Sequence, residues 1–393
     1  MRRHLLYISL LLSPAIASAA PKNIIYMIGD GMGPAYLAGY RYFSDDKATA
    51  EVENTIFDEL WLGMASTYPD DDTYVTDSAA GATALATGFK SYNGAISVNR
   101  QHIPIGTMMQ LAKKLGKANG IVASSQVNHA TPASFLAHNK SRRNYNEIAD
   151  MYLDYRIEGK TVADVILGGG TDYFIRDDRN LVNEFKQLGF QYTDSWQQLD
   201  TLTKTPAMAL LAETALPAVL NSVQDKQLAT LTEKALQLLT PAKKGFVLMV
   251  EGSQIDWCGH DNDIACAMAE MDDFAKAIAV AKAYVDKHPD TILVITADHE
   301  TGGQGTQQLG PPSFKSNRAH HQGGKQSQVQ QQQRDACGGA TLNEWRQPLA
   351  NDFPVGQGLA QWDGRWSRRR ESRSPIRQPP AQSPSAASTG RPS

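Results

Sequence analysis

Four short apolar runs punctuate the chain: NIIYMIG (23–29), ANGIVASS (118–125), FVLMVEG (246–252) and TILVITA (291–297). Each has the length and bounded character of a strand buried on both faces. Between them, IGTMMQLAKKLGKA (105–118) and AMAEMDDFAKAIAVAKAYVDKH (267–288) repeat apolar residues at spacings of three and four, the stripe of a helix that covers a sheet. This alternation predicts an α/β fold, a three-layer sandwich whose central, mainly parallel sheet is covered by helices on both faces. Ligands of such sheets gather at the carboxyl ends of the strands. The residues just after each apolar run are therefore where chemistry is sought.

Both ends break the pattern. The first twenty residues join Arg2 and Arg3 to an apolar run over 5–12 and to Ala17-Ser18-Ala19, which predicts a signal peptide over 1–19 cleaved near Ala19 and a periplasmic or secreted protein. No other run approaches the roughly 18 apolar residues that span a bilayer, so the mature protein is expected to be soluble. After Gly303, residues 304–393 hold 15 Gln and 9 Pro, with no Lys after Lys325. That composition predicts a low-complexity, disordered tail. The division is thus a leader (1–19), an α/β body (20–303) and the tail (304–393).

Charge sharpens the boundary. The 393 residues carry a net charge of −3, but 1–303 hold 26 Lys and Arg against 36 Asp and Glu, while 304–393 hold 12 against 5. An acidic body excludes the clustered basic face that nucleic acid requires. Three cysteines, Cys258, Cys266 and Cys337, exclude a disulfide framework and allow one bridge at most, leaving stability to core burial and metals. Whether Cys258 and Cys266 pair is open.

Four clusters of metal-type ligands follow predicted strands. In Gly29-Asp30-Gly31-Met32-Gly33 an acidic side chain stands among glycines that admit a close ion; an ordinary glycine-rich turn is the alternative. In TDSAAGATALATG (76–88), small residues suit a helix start pressed against an anion, and Ser78 reads as an N-cap or as a nucleophile. The segment lacks the Gly-x-Ser-x-Gly elbow and a neighbouring His, so a nucleophilic Ser78 would need a metal. In EGSQIDWCGH (251–260), Asp256 and His260 are four apart, which suits zinc or a surface pair, and Glu251 suits a harder ion such as magnesium. Ile255 and Trp257 read as packing residues. In TADHETGG (296–303), Asp298 and His299 chelate an ion or form a polar turn. Together these residues point to a multi-metal hydrolase. A fifth segment, NHATPASFLAHNKSRR (128–143), offers Arg142 and Arg143 as an anion clamp or as a solvated helix end.

In order and spacing, the IGDGMG loop, TDSAAGATALATG, HATPASFLAH with its following Arg, EGSQIDWCGH and ITADHETGG resemble the alkaline phosphatase family, from about Lys22 to Gly303. The resemblance implies phosphate monoester hydrolysis through a phosphoserine on Ser78, with small-molecule phosphate monoesters as substrates. It implies two zinc ions and one magnesium ion. Asp30, Asp298, His299 and Ser78 would hold the first zinc, Asp256 and His260 the second, and Asp30, Thr131 and Glu251 the magnesium. Arg142 would grip the phosphoryl oxygens. The family is usually dimeric, so a homodimer is expected.

His129 stands where family members carry Asp or His, and in the magnesium shell His would hold the ion less tightly. Trp257 stands where others have Lys, His or Trp. A further C-terminal His that completes the second zinc in the family, and the last strands of its sheet, have no counterpart here. His320 and His321 would replace it only at the entropic cost of ordering a tail. The abrupt change after Gly303 suggests a tail read out of the native frame, which resequencing the coding DNA there would test. The rivals are a related metal-dependent phosphodiesterase or sulfatase, a metal- or phosphate-binding pseudoenzyme, and a fragment that does not fold. Ser78, rather than Thr or a modifiable Cys, favours the monoesterase.

Overall fold

The structure is a computed structural model that describes residues 21–302, so the expectations for the leader and the tail lie outside the described residues. Nine strands run in order β1 (Asn23–Gly29), β2 (Ala118–Gln126), β3 (Arg156–Ile157), β4 (Lys160–Thr161), β5 (Val165–Gly169), β6 (Gln191–Thr193), β7 (Ala207–Leu210), β8 (Phe246–Gly252) and β9 (Thr291–Ala297). Seven form one parallel sheet in the order β6-β7-β5-β2-β8-β1-β9, and β3 and β4 make a separate hairpin. The helices are α1 (Pro34–Ser44), α2 (Ile56–Glu59), α3 (Ser78–Thr87), α4 (Met108–Lys114), α5 (Ala130–Leu136), α6 (Tyr145–Asp154), α7 (Thr171–Phe174), α8 (Leu181–Gln187), α9 (Gln227–Leu239), α10 (Gln254–His260) and α11 (Ile264–Lys287).

Alternation along the strands divides the core into two halves. Leu248 and Val250 of β8 pack with Ile25 and Met27 against α1, α9 and α11. Val247 and Met249 face the other way, with Ile28 and Ile121, against α3, α4, α5, α6 and α8. A strand whose side chains enter one core or the other is apolar, which is why FVLMV shows no polar face before Glu251 at the strand's end. This is the predicted three-layer α/β sandwich.

The helix predicted over 105–118 is shorter. Thr107 and Gln110 form a reciprocal capping box that starts α4 at Met108, and Gly116, at φ +75°, ends it before β2. The helix predicted over 267–288 begins earlier, at Ile264, because Asp263 caps it by accepting from the Cys266 N–H. Among the described residues, β9 pairs with β1 alone and is the edge of the sheet. The ends of β1, β2, β8 and β9 lie side by side, so the loops after them converge.

Candidate active site

After β1 the chain turns through Asp30-Gly31-Met32-Gly33 into α1. Gly31 sits at φ +66°, and a Cβ there would stand 2.1 Å from Thr301 Oγ1 and 2.8 Å from Asp256 Oδ1. Conformation and space therefore both require glycine. The Gly31 N–H donates to Asp298 Oδ1 at 3.0 Å, and the His299 N–H donates to the same oxygen at 3.0 Å. These bonds tie the end of the edge strand to the loop after β1.

The cap of α3 is Asp77, whose carboxylate accepts from the Ala80 N–H at 2.9 Å. Ser78 is thereby free of capping. Its Oγ lies 3.1 Å from Asp30 Oδ1 and 3.1 Å from His299 Nε2. The small residues of α3 have a packing cause: a Cβ on Gly81 would meet the Asp298 carbonyl oxygen at 2.9 Å.

Asp30 and Asp298 are fully buried. Burial raises both carboxyls, and Asp298 raises Asp30 further by repulsion. Burial opposes the His299 imidazolium, but Asp298 and Asp30 outweigh it and push its pKa up to about 11. Asp30 Oδ2 and Asp298 Oδ2 have no hydrogen-bond partner. Buried like charges with orphaned oxygens are what a cation would relieve.

A second cluster adjoins the first. Glu251, near the end of β8, accepts from the Ser125 hydroxyl at 3.3 Å through Oε2, and its Oε1 is unpartnered. Burial, then the charge of Asp30, push its pKa up to about 8. Asp30, His129 and Glu251 each bring a ligand atom within 4.8 Å of the others. The Thr131 hydroxyl is buried and unpartnered. Arg142 Nη2 lies 3.1 Å from His129 Nε2, and Arg142 Nη1 donates to Asp77 Oδ2 at 3.1 Å. Arginine only donates, so in this contact His129 Nε2 accepts. Burial and the Arg142 charge hold His129 well below the usual imidazole range. Arg142 thus faces the site from the loop between α5 and α6, and Arg143 is the exposed one.

Asp256 is buried, and its Oδ1 accepts from the Thr301 hydroxyl. It also falls within 4.8 Å of ligand atoms of Asp30 and His299. His260 behaves differently. Its Nε2 is 3.4 Å from Asp256 Oδ1, but its side chain is 71% exposed. Among the described residues no further His, Cys, Asp or Glu completes a set with His260. Trp257 packs edge-on against His129, with centroids 5.6 Å apart. A cavity of about 470 Å³ bordered by Trp61, Tyr68 and Tyr74 opens onto Asp298 and His299.

Sequence reasoning missed Asp77, Ser125 and Thr301. Asp77 had a usable signal, an acidic residue directly before a helix start. Thr301 had none: its bond to Asp256 spans 45 positions of sequence.

A sequence model of the family described as alkaline phosphatase matches residues 21–337, past the Gly303 boundary read from the sequence. Alkaline phosphatase 3 of Bacillus subtilis (strain 168) is 48% identical over 284 residues, 72% of this chain and 62% of that relative. The chain therefore spans about three fifths of that relative's length. A crystal structure of a cold-active alkaline phosphatase from the psychrophile Shewanella sp. matches at 54% identity and TM-score 0.67, covering 71% of this chain and 68% of that one. A variant of alkaline phosphatase from the Antarctic bacterium TAB5, with a histidine changed to glutamate and Mg bound in its M3 site, matches at 32% identity and TM-score 0.65, covering 72% and 79%. With the matching motifs gathered at the strand ends of the same fold, the chain belongs to the alkaline phosphatase family.

Proposed function

We propose that the protein is a metal-dependent phosphate monoesterase that works through a phosphoserine on Ser78. The observation that carries this reading is the place of Ser78: the first residue of α3, free of capping and 3.1 Å from both Asp30 Oδ1 and His299 Nε2. Asp30, Asp298 and His299 would hold one zinc, with Ser78 on its substrate side; Asp256 and His260 a second; Asp30, Thr131 and Glu251 a magnesium, with His129 beside it. The donor set of the first zinc and of the magnesium fits, being oxygen and imidazole ligands among which Asp30 Oδ2, Asp298 Oδ2 and Glu251 Oε1 are buried without a hydrogen-bond partner; Asp256 and His260 offer a carboxylate and an imidazole, the donor types zinc takes. Such ions, when bound, neutralise the clustered carboxylates, polarise phosphoryl oxygens and make a hydroxyl or water a stronger nucleophile.

The chain's own groups do the rest. The Ser78 hydroxyl donates to Asp30 Oδ1 at 3.1 Å, which aims Oγ into the cluster. The Oγ–P bond forms as the ester P–O bond breaks, and the departing alcohol takes up a proton. Water then adds at phosphorus, the Oγ–P bond breaks, Ser78 regains its proton and inorganic phosphate leaves. Arg142 can turn its fork from Asp77 and His129 to two phosphoryl oxygens. A periplasmic or secreted location is part of the reading, supported by the leader-like first residues and by the Cys258–Cys266 disulfide, a bond that persists in oxidising compartments.

The test is Ser78→Ala under acid quench with a phosphate-labelled monoester. Loss of the phosphoenzyme with zinc content unchanged is expected, and a retained phosphoserine refutes the assignment. Faster hydrolysis of bis-p-nitrophenyl phosphate than of the monoester would favour a phosphodiesterase. The exposure of His260 favours one second reading, a protein that binds zinc at Asp30, Asp298 and His299 without turnover. Metal-restorable hydrolysis of p-nitrophenyl phosphate would exclude it.

A further inference from the structure

The helix α10 is seven residues long, too short to persist on its own hydrogen bonds, yet it carries both Asp256 and His260. Beyond it the chain reverses through exposed Asp261 and Asn262, the latter at φ +57°. Three backbone bonds hold this reversal, from Asp261 to Trp257, Asn262 to Gly259 and Asp263 to Cys258, each at 3.0 Å.

Between the two candidate ligands stands Cys258, buried and joined by a disulfide to Cys266 in the first turn of α11. α11 is 24 residues long, and its apolar face is embedded in the core that includes α1 and α9. Cys266 is therefore a fixed point, and the bridge anchors the turn that ends at His260. By contrast, Asp30, Asp298 and His299 stand at the ends of β1 and β9, outside the bridged segment.

We propose that the Cys258–Cys266 disulfide is a positioning element for the Asp256/His260 metal pair, so that opening it weakens metal binding at that pair while the body stays folded. The inference rests on the reading above that this pair holds a metal ion. Opening takes a dithiol: the S–S bond breaks, two protein thiols form with the dithiol's two electrons and two protons, and the dithiol closes to its own disulfide. Loss of a supporting contact behind a metal ligand costs about 10- to 100-fold in affinity.

The test titrates zinc into the metal-stripped full chain against a chromophoric chelator, with thermal melts of each metal-free form. The wild type is compared with the Cys258→Ala/Cys266→Ala double variant and with His260→Ala. Alanines are used because the freed sulfurs and Glu270 would have ligand atoms within 4.8 Å of one another, and thiols there would take zinc themselves. In the double variant, one class of zinc should bind about 10- to 100-fold more weakly. That class should be the one His260→Ala loses, and the metal-free melt should stay cooperative. If His260→Ala loses the class and the double variant keeps it, the positioning role is overturned and the function reading stands. If His260→Ala binds zinc as the wild type does, the reading beneath the inference fails. Equal weakening of both classes makes the bridge a general stabiliser and overturns the inference. Should the alanine variant not fold, the Cys258→Ser/Cys266→Ser variant, which also lacks thiols, takes its place: zinc at the pair must bind more weakly than in the wild type, and an unchanged affinity refutes the role.

Discussion

Gly81→Ala sets two effects of known size against each other. Within a helix, alanine is favoured over glycine by about 0.8–1.0 kcal/mol, so propensity alone makes the variant more stable. The surroundings oppose it. A Cβ at position 81 would lie 2.9 Å from the Asp298 carbonyl oxygen and 3.2 Å from the Asp298 Cβ. Both atoms belong to a residue pinned by the Gly31 and His299 N–H groups on its carboxylate, so the neighbour cannot swing aside as a flexible side chain would. Overpacking at such a place costs about 1–3 kcal/mol, and the net change is a loss of about 0–2 kcal/mol. The strain is relieved by moving α3 or Asp298 a few tenths of an ångström, and each carries part of the site. Zinc affinity and turnover should therefore fall at least about tenfold while stability changes little. Urea unfolding of the metal-free protein and zinc titration against a competing chelator measure the two separately. A variant about 1 kcal/mol more stable with unchanged zinc affinity would refute the packing argument.

Further predictions concern charge. In the metal-free protein Glu251 and Glu270, both pushed up to about 8 with burial as the main cause, keep protons that an unfolded chain releases near pH 4.3. The unfolded state binds fewer protons across that window, so stability falls as pH rises from about 4.3 to 8, by at most about 1.4 kcal/mol per pH unit and group. Melting with chelator should weaken from pH 5 to 8, and added zinc and magnesium should flatten the trend; a metal-free melt that strengthens over this range would count against it. Asp77 serves both the α3 cap and Arg142, through Ala80 at 2.9 Å and Nη1 at 3.1 Å. Asp77→Ala should lower urea stability by about 1 kcal/mol and weaken inhibition by inorganic phosphate. Asp77→Asn, an equally good cap, should restore stability but not phosphate affinity, and recovery of both would show that the Arg142 contact is idle.

How far the sequence speaks depends on what each element owes to its neighbours. β1 and β8 have the bounds that their apolar runs predict, because a strand buried in a parallel sheet needs a nearly unbroken apolar run; β9 has its predicted bounds too, but at the sheet's edge among the described residues only its Thr291 is buried. β7 is AMAL, built of residues that favour helices, and is a strand only because β5 and β6 flank it. VILGG, at β5, ends in glycines that read as a turn. The candidate ligands show the same division. Asp30, Glu251, Asp298 and His299 are legible because each follows or ends a readable strand, and the topology delivers strand ends to one place. Asp256 and His260 are legible as a pair from their spacing, yet spacing says nothing of solvent. Asp256 is buried by Thr301 and the loop after β1, while His260 projects from the last turn of a short helix. Position along a strand is thus a local property that sequence records, whereas burial of a ligand depends on what the rest of the chain places over it. The exposure of His260 is therefore what its spacing leaves unread. Measuring zinc at the Asp256/His260 pair tests its consequence directly: a tight site there means that exposure is relieved on binding, and an absent one means that the legible motif lacks the cover that would make it a site.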